Sequence, residues 1–386
     1  MLINIEKEKN SKRFLKSKNK IKGTTIEIKL IFLIIIIIIS FGYILIFNIM
    51  KQIKNIFIKL KYFENILKNK EKISKNNITK EFKESVQEIF DEKMKNKYIE
   101  NQLHFCKSYD LFLDLKVEKR IQKVNARLKN ISFDMYVYKE NDFVSGSIRS
   151  SGSWEESSTN NIMKCLEYYS NKKQLSKKDI TILDIGANIG WYSFYLAKAG
   201  YELISFEVSH VNDYILKKNY CLNQEVNITI INKGIGLEEE QCLLSHPPWN
   251  EGNAVILCGD NNKISKTAES LTETVEFTKL SNYIPYLSQK NLAFIKLDVE
   301  GSEGKVINSG IELITKYHIP FLFVEFNIDY LKMQGTDPKD FLEIFINNGY
   351  SISTVDFFSK SYSSIESLLK TSSVNLYIVY SKFLQG

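Results

Sequence analysis

Apolar positions recur with different periods along this chain, and the change between them divides it. Residues 30–47, LIFLIIIIIISFGYILIF, form one unbroken uncharged run. Ile53, Ile56, Phe57, Leu60 and Phe63 then recur at helical spacing between lysines, and Phe82, Val86, Ile89 and Phe90 repeat that pattern. Residues 51–132 therefore read as a helical stem. From Phe133 the texture shifts. FDMYVY alternates like a strand, VSGSIRSSGSWEESSTN reads as a serine- and glycine-rich loop, and a helix runs on to Tyr169. Short apolar strands then alternate with helical stretches: Ile180–Ile185, YELISFE, a helix to Asn223, NITIIN, LAFIKLDVE, a helix to about Tyr317, and FLFVEF. That alternation predicts an α/β domain around a mainly parallel sheet. The final strands, YSISTV and VNLYIVY, can pair antiparallel without a crossover helix.

The uncharged run of 18 residues is just long enough to cross a bilayer, and lysines flank it on both sides. A cleaved signal peptide would need a shorter leader than 29 residues and a small-residue cleavage site before Lys51. A retained single-pass anchor is expected, with the lipid bilayer as partner. Residues 15–29 and 48–62 each carry a net charge of +4, so the side of the membrane stays open. For a eukaryotic chain the reading is the lumen of the Golgi or endoplasmic reticulum. The basic stretch after the anchor suits a membrane surface or a plain solvated stem equally. The expected organisation is a basic tail (1–29), an anchor (30–50), a helical stem (51–132) and a catalytic domain (133–386).

Charge changes the picture only once it is located. Of the net +7, residues 1–75 supply 17 Lys/Arg against 5 Asp/Glu, a net of +12, leaving 35 against 40 for the rest. A nucleic-acid-binding body would carry the opposite balance, so no nucleic-acid partner is expected. Five cysteines without CxxC spacing and four scattered histidines predict no metal site and no disulfide framework.

The chemistry concentrates in TILDIGANIGWYSFYLAKAG, residues 181–200. A strand ends at Asp184-Ile185-Gly186, a helix begins near Ile189, and Gly186 and Gly190 punctuate the turn, whose N–H groups are expected to face a ligand. The next strand ends at Glu207, 21 residues after Gly186, where a carboxylate can accept both ribose hydroxyls. A dinucleotide fingerprint would place a glycine where Asn188 stands, to admit a pyrophosphate. A phosphate-free adenosine cofactor fits better, namely S-adenosylmethionine.

LDIGANIGWYSFYLA, SFE, LKKNYCLN, IKLDVEGSEGKVINSG and VEF stand in the order and spacing of FkbM-type methyltransferases, and the sequence resembles that family from about Phe133 to Tyr380. The upstream SGSWE is similar to the family's as well. The resemblance implies a class I methyltransferase fold. That fold is a Rossmann-like, mainly parallel seven-stranded sheet with an antiparallel C-terminal strand. It further implies S-adenosylmethionine as donor and transfer to oxygen, often on sugars. By match to the pattern, Asp184, Gly186, Asn188 and Gly190 would hold the methionine part and Glu207 the ribose. Val208 departs from the family's usual proline, and Ser281 from a common aspartate.

Asp298 and Glu300, in KLDVEGSE, alternate onto one face at the end of the fourth strand. A hydroxyl acceptor barely ionises at neutral pH, so one of them is the candidate catalytic base. The alternative is that both cap the following helix. SHPPW (245–249) departs from the (N/D)PPY motif of base-amino methyltransferases at His246, and EGSEG (300–304) departs from a hydrolase elbow at Glu300. The expectation is a membrane-anchored O-methyltransferase acting on a glycan or other hydroxylated small molecule. A tethered, catalytically inactive methyltransferase-like binding module is the rival.

Overall fold

The computed structural model describes residues 95–108, 114–246, 254–258 and 271–385. Strands β1 (Ile121–Leu128) and β2 (Ile131–Tyr138) open it as an antiparallel hairpin. A central sheet takes β3 (Ile180–Ile185), β4 (Glu202–Phe206) and β5 (Ile228–Ile231). A smaller sheet takes β6 (Gly234–Ile235), β7 (Gln241–His246), β8 (Val255–Leu257) and β9 (Leu271–Thr278). The central sheet resumes with β10 (Asn291–Leu297), β11 (Phe321–Asn327), β12 (Tyr350–Ser353) and β13 (Ser373–Tyr380).

The central order is β12-β13-β11-β10-β3-β4-β5, with β13 antiparallel to both neighbours and every other pairing parallel. This is the expected seven-stranded sheet. Helices α1 (Phe143–Ser151), α2 (Glu156–Lys173), α3 (Trp191–Lys198), α4 (His210–Leu222), α5 (Glu303–Ser309) and α6 (Pro338–Asn347) surround it. Residues of β3 and β4 are buried along their whole length, because helices cover both faces of a parallel sheet. Successive residues therefore feed two cores. Ile182 and Phe294 join one, with Phe194 and Leu196 of α3; Leu183 and Ile295 join the other, with Val306 of α5 and Phe345 of α6.

Three expectations are corrected. Residues 143–151 form a helix where a loop was predicted: Asp142 accepts from Ser145 N at its start, and Gly152 ends it at φ 87°. The predicted stem does not extend to residue 132, because β1 pairs with β2 and the hairpin docks on α4. There the Asn219 amide meets both Tyr136 N (2.5 Å) and Tyr136 O (3.1 Å). Four of the five cysteines form two disulfides, Cys106–Cys221 and Cys242–Cys258, at separations of 115 and 16 residues that no spacing rule reveals. Cys165 is free and buried.

Residues 95–107 are helical, as the stem reading expects there, and they serve the sheet. The buried Gln102 amide donates to Ile228 O (3.0 Å) and accepts from Ile230 N (2.8 Å), pairing with the outer edge of β5. Cys106 ties the same helix to α4. No helix among the described residues is long and apolar enough to cross a membrane, and the run 30–47 lies outside them.

Candidate active site

The strand β3 delivers the chain into the glycine turn, and the turn is closed by its own hydrogen bonds. Gly186 N and Ala187 N both donate to Phe206 O, Gly190 N to Ala187 O, and Ile189 N to the Asn188 side chain. Asn188 N donates to Glu207 Oε2 at 2.7 Å. Each N–H from 186 to 190 is thus spent inside the protein, which corrects the expectation that they face a ligand. The glycines answer to packing too. A Cβ at Gly186 would stand 1.8 Å from the Asp298 carbonyl oxygen, and one at Gly190 2.4 Å from Leu216. Both also have left-handed backbone, at φ 84° and 98°. What approaches Gly186 is the chain just past the end of β10.

Beneath the turn lies a lysine that the sequence reading left unassigned. Lys296 is buried, donates to Gly186 O at 2.7 Å, and sits 3.3 Å from Asp298 Oδ2 and 3.7 Å from Asp184 Oδ1. Burial works against its charge, but the Asp298 and Asp184 carboxylates outweigh it and raise its pKa above the usual lysine value. Asp184 in turn accepts from Ser193 Oγ at 2.6 Å. Burial pushes the Asp184 carboxyl upward, with Lys296 opposing.

Above the strand ends opens a cavity of about 230 Å³. Of the predicted site residues, Gly186, Asn188, Glu207, Asp298 and Glu300 line it. Asp184 and Gly190 do not: the first faces Lys296 and Ser193, the second packs on α4. Phe206, Val208 and Ile235 form an apolar wall at the Glu207 end. Glu207 itself accepts from Asn188 N and Ser209 N, one on each oxygen. Burial pushes its carboxyl up to about 7 against the pull of those two donors.

Asp298 and Glu300 follow the end of β10 rather than lying in it, so strand alternation is not what unites them. A left-handed backbone at Glu300 (φ 54°) turns the chain, and their carboxylates meet that of Glu325 from β11 with oxygens within 4.8 Å of one another. Neither caps α5 by a hydrogen bond. Its N-cap is Ser302, and the acid that serves the loop is Glu303, which accepts from Val299 N at 2.9 Å. Burial first, then the neighbouring carboxylates, push Glu300 and Glu325 upward, toward their protonated forms. Burial likewise takes Glu303 to about 7.

The wall also contains residues the sequence reading passed over: Trp154, Glu155, Glu325 and Asn375. In all, five carboxylic residues and one lysine, Lys233, line the cavity. Three non-glycine residues with left-handed backbone, Glu155, Asn188 and Glu300, meet there. Asparagine tolerates that conformation; glutamate does not readily.

Two outcomes follow from these charges. Replacing Lys296 by methionine leaves Asp184 buried and unpaired, and is expected to cost about 3–5 kcal/mol in denaturant unfolding. Adding Asp184→Asn should recover part of that loss; no recovery would mean the pair is not coupled. The second concerns pH. Glu207 and Glu303 bind protons more tightly folded than unfolded, so their contribution is complete below about pH 4.5 and disappears as pH rises through about 7. The ligand-free chain should melt higher at pH 5 than at pH 8.5, and Glu207→Gln with Glu303→Gln should flatten that slope. An unchanged slope in the double variant would assign it to other groups.

Residues 184–352 match the family model described as the methyltransferase FkbM domain. No curated protein matches the chain. Among solved structures the chain is similar to magnesium protoporphyrin IX methyltransferase (ChlM) from Synechocystis PCC 6803 with bound SAM, at 14% identity, over 62% of this chain and 84% of that one, with TM-score 0.32. It is similar to the bifunctional kinase-methyltransferase WbdD at 12% identity, over 63% of this chain and 44% of that one, with TM-score 0.38. A third is the T. thermophilus 16S rRNA N2 G1207 methyltransferase (RsmC), at 10% identity, over 67% and 50%, with TM-score 0.30. The motifs, the strand order and the family match agree: residues 184–352 of this chain are a methyltransferase FkbM domain, of a family that uses S-adenosylmethionine.

Proposed function

We propose that the chain is an S-adenosylmethionine-dependent O-methyltransferase whose acceptor is a sugar, a glycan or another hydroxylated small molecule. The observation that carries the reading is the charge of the cavity, with five carboxylic residues against one lysine around a turn that has no free N–H. Such a turn offers a phosphate no N–H donor. A donor with an apolar adenine, a ribose diol and positive charge on sulfur and nitrogen fits it.

Glu207 would accept from the ribose hydroxyls, and Phe206, Val208 and Ile235 would flank the base. Bound there, the donor supplies a methyl group on a sulfonium, a neutral thioether leaving when the methyl departs. Asp298 is the base that the geometry favours. Its carboxylate is held by Lys296 at 3.3 Å, whereas burial and the neighbouring carboxylates push Glu300 toward its protonated form. Asp298 would take the acceptor's hydroxyl proton, leaving that oxygen free to accept the methyl group the bound donor supplies. Protonated Glu300 and Glu325 can donate to neighbouring hydroxyls, as suits a polyol.

Labelled S-adenosylmethionine and a glycan extract, with the full chain, should give alkali-stable label on carbohydrate. Asp298→Asn should lower that turnover about 10²- to 10⁴-fold while leaving S-adenosylhomocysteine binding intact. Donor binding without any transfer would favour the rival reading, a tethered binding module.

The same proposal places residues 30–47 in a membrane and the catalytic domain on its oxidising side. Two disulfides support that side, since reducing compartments keep thiols free. The full chain should stay with carbonate-washed membranes. In sealed vesicles with the cytosolic face outward, protease should reach the domain only after detergent. Digestion in intact vesicles would overturn the placement.

A further inference from the structure

The donor reading leaves one charge without a partner. Family resemblance gives the methionine portion to the DIGANIG turn, but Asp184 stands off the cavity wall, engaged by Lys296 and Ser193. The methionine α-ammonium needs a carboxylate that reaches the cavity and is not already neutralised.

Each carboxylate on the wall can be tried in turn. Glu207 stands at the apolar end, both oxygens held by backbone N–H groups. Asp298 is ion-paired to Lys296. Glu300 and Glu325 crowd Asp298 and each other, and like charges so close favour keeping protons. Glu155 differs. Its oxygens accept from Tyr192 Oη at 2.5 Å and Asn375 Nδ2 at 3.0 Å, both neutral donors, and Lys296 acts on it only at longer range, outside ion-pair distance.

Its position is on the correct side as well. Tyr192 is in the first turn of α3, directly after the glycine turn, and Lys296, which donates to Gly186 O, stands 5.8 Å from the Tyr192 ring. Backbone geometry adds an independent mark. Glu155 occupies the N-cap of α2, yet its side chain caps nothing, and its φ of 42° is one a glutamate rarely adopts. The residue gives up the ordinary use of an acid at a helix start and accepts strain, with its carboxylate at the wall of the cavity. Strain of this kind collects where a ligand needs a group held in place.

We infer that Glu155 binds the α-ammonium of the donor's methionine portion, with Tyr192 and Asn375 holding its carboxylate in position. This rests on the donor reading above. The contact is a charge-assisted hydrogen bond from the ammonium to a carboxylate oxygen. Glu155 precedes the segment matched by the family model and Asn375 follows it, so the cofactor site draws in both flanks of that segment.

Two ligands separate the possibilities. S-adenosylhomocysteine carries the ammonium, and 5′-methylthioadenosine has the same base, ribose and thioether without it. In calorimetric titration of the full chain, Glu155→Gln should weaken S-adenosylhomocysteine about 10- to 100-fold and leave 5′-methylthioadenosine within about twofold. Glu155→Gly, which suits the left-handed backbone, should do the same. Glu207→Gln should weaken both ligands. If Glu155→Gln and Glu155→Gly bind S-adenosylhomocysteine as the wild type does, Glu155 is not the ammonium's partner. Equal loss of both ligands would make its role structural, which also overturns the inference. A wild-type chain that binds neither ligand would instead remove the donor reading itself.

Discussion

A buried ammonium organises this site. Lys296 emerges near the end of β10 in a region closed to water, where an unpaired charge would be intolerable. Its neutralisation brings together three chain segments: Asp184 from β3, the Gly186 carbonyl from the turn, and Asp298 from the loop after β10. Two of these contacts, to Asp184 and Gly186, join segments more than 100 residues apart, and the third, to Asp298, is local. The glycine at 186 then follows as a steric necessity, because a side chain there would overlap the Asp298 carbonyl. Lysine and glycine are two halves of one joint between neighbouring parallel strands. The base candidate is held at that joint, so the geometry of catalysis and the stability of the sheet share a cause.

Much of the fold was legible because its signals are local. Apolar runs bounded by lysines and asparagines marked the strands of the central sheet, and the order of motifs marked its topology. Two kinds of feature were not legible. The first strand of the hairpin, β1, lay in the stretch read as a helical stem, and the hairpin's docking on Asn219 makes it part of this domain. The disulfides join positions 115 and 16 residues apart, which are near only after folding. In the site, Glu207, Asn188, Asp298 and Glu300 could be named from strand ends. Their reasons could not. Asn188 donates its N–H to Glu207 rather than filling a pyrophosphate's place, and Asp298 and Glu300 converge through a turn. Lys296 and Glu155 gave weaker signals, a lone lysine inside an apolar strand and the first of two adjacent acids at a helix start. The first is legible from the cost of burying it.

The cavity is acidic at one end and apolar at the other, and that polarity orders its parts. A carboxylate whose own N–H contacts fix its direction stands at the apolar end. At the other end, acids so crowded that some stay neutral can act as hydrogen-bond donors as well as acceptors, a property separate ionised groups lack. Such a surface suits polyhydroxylated molecules without fixing which one. The loop after β10, with Glu325 of β11 and Asn375 of β13, supplies those groups, and loops vary most readily between chains that share a sheet.

Gln102 bears on how this protein can be handled. Its amide occupies the N–H and C=O positions that a further strand would take along β5. A shortened version beginning at residue 133, where the motifs begin, would lose that helix, the first strand of the hairpin and the bond from Cys106. The outer edge of a seven-stranded sheet would then lie bare to solvent. Bare edges recruit one another, so such a fragment would gather into multimers through its strands instead of remaining dispersed. The smallest unit that keeps this edge covered therefore begins upstream of the recognisable motifs, at the helix that carries Gln102 and Cys106.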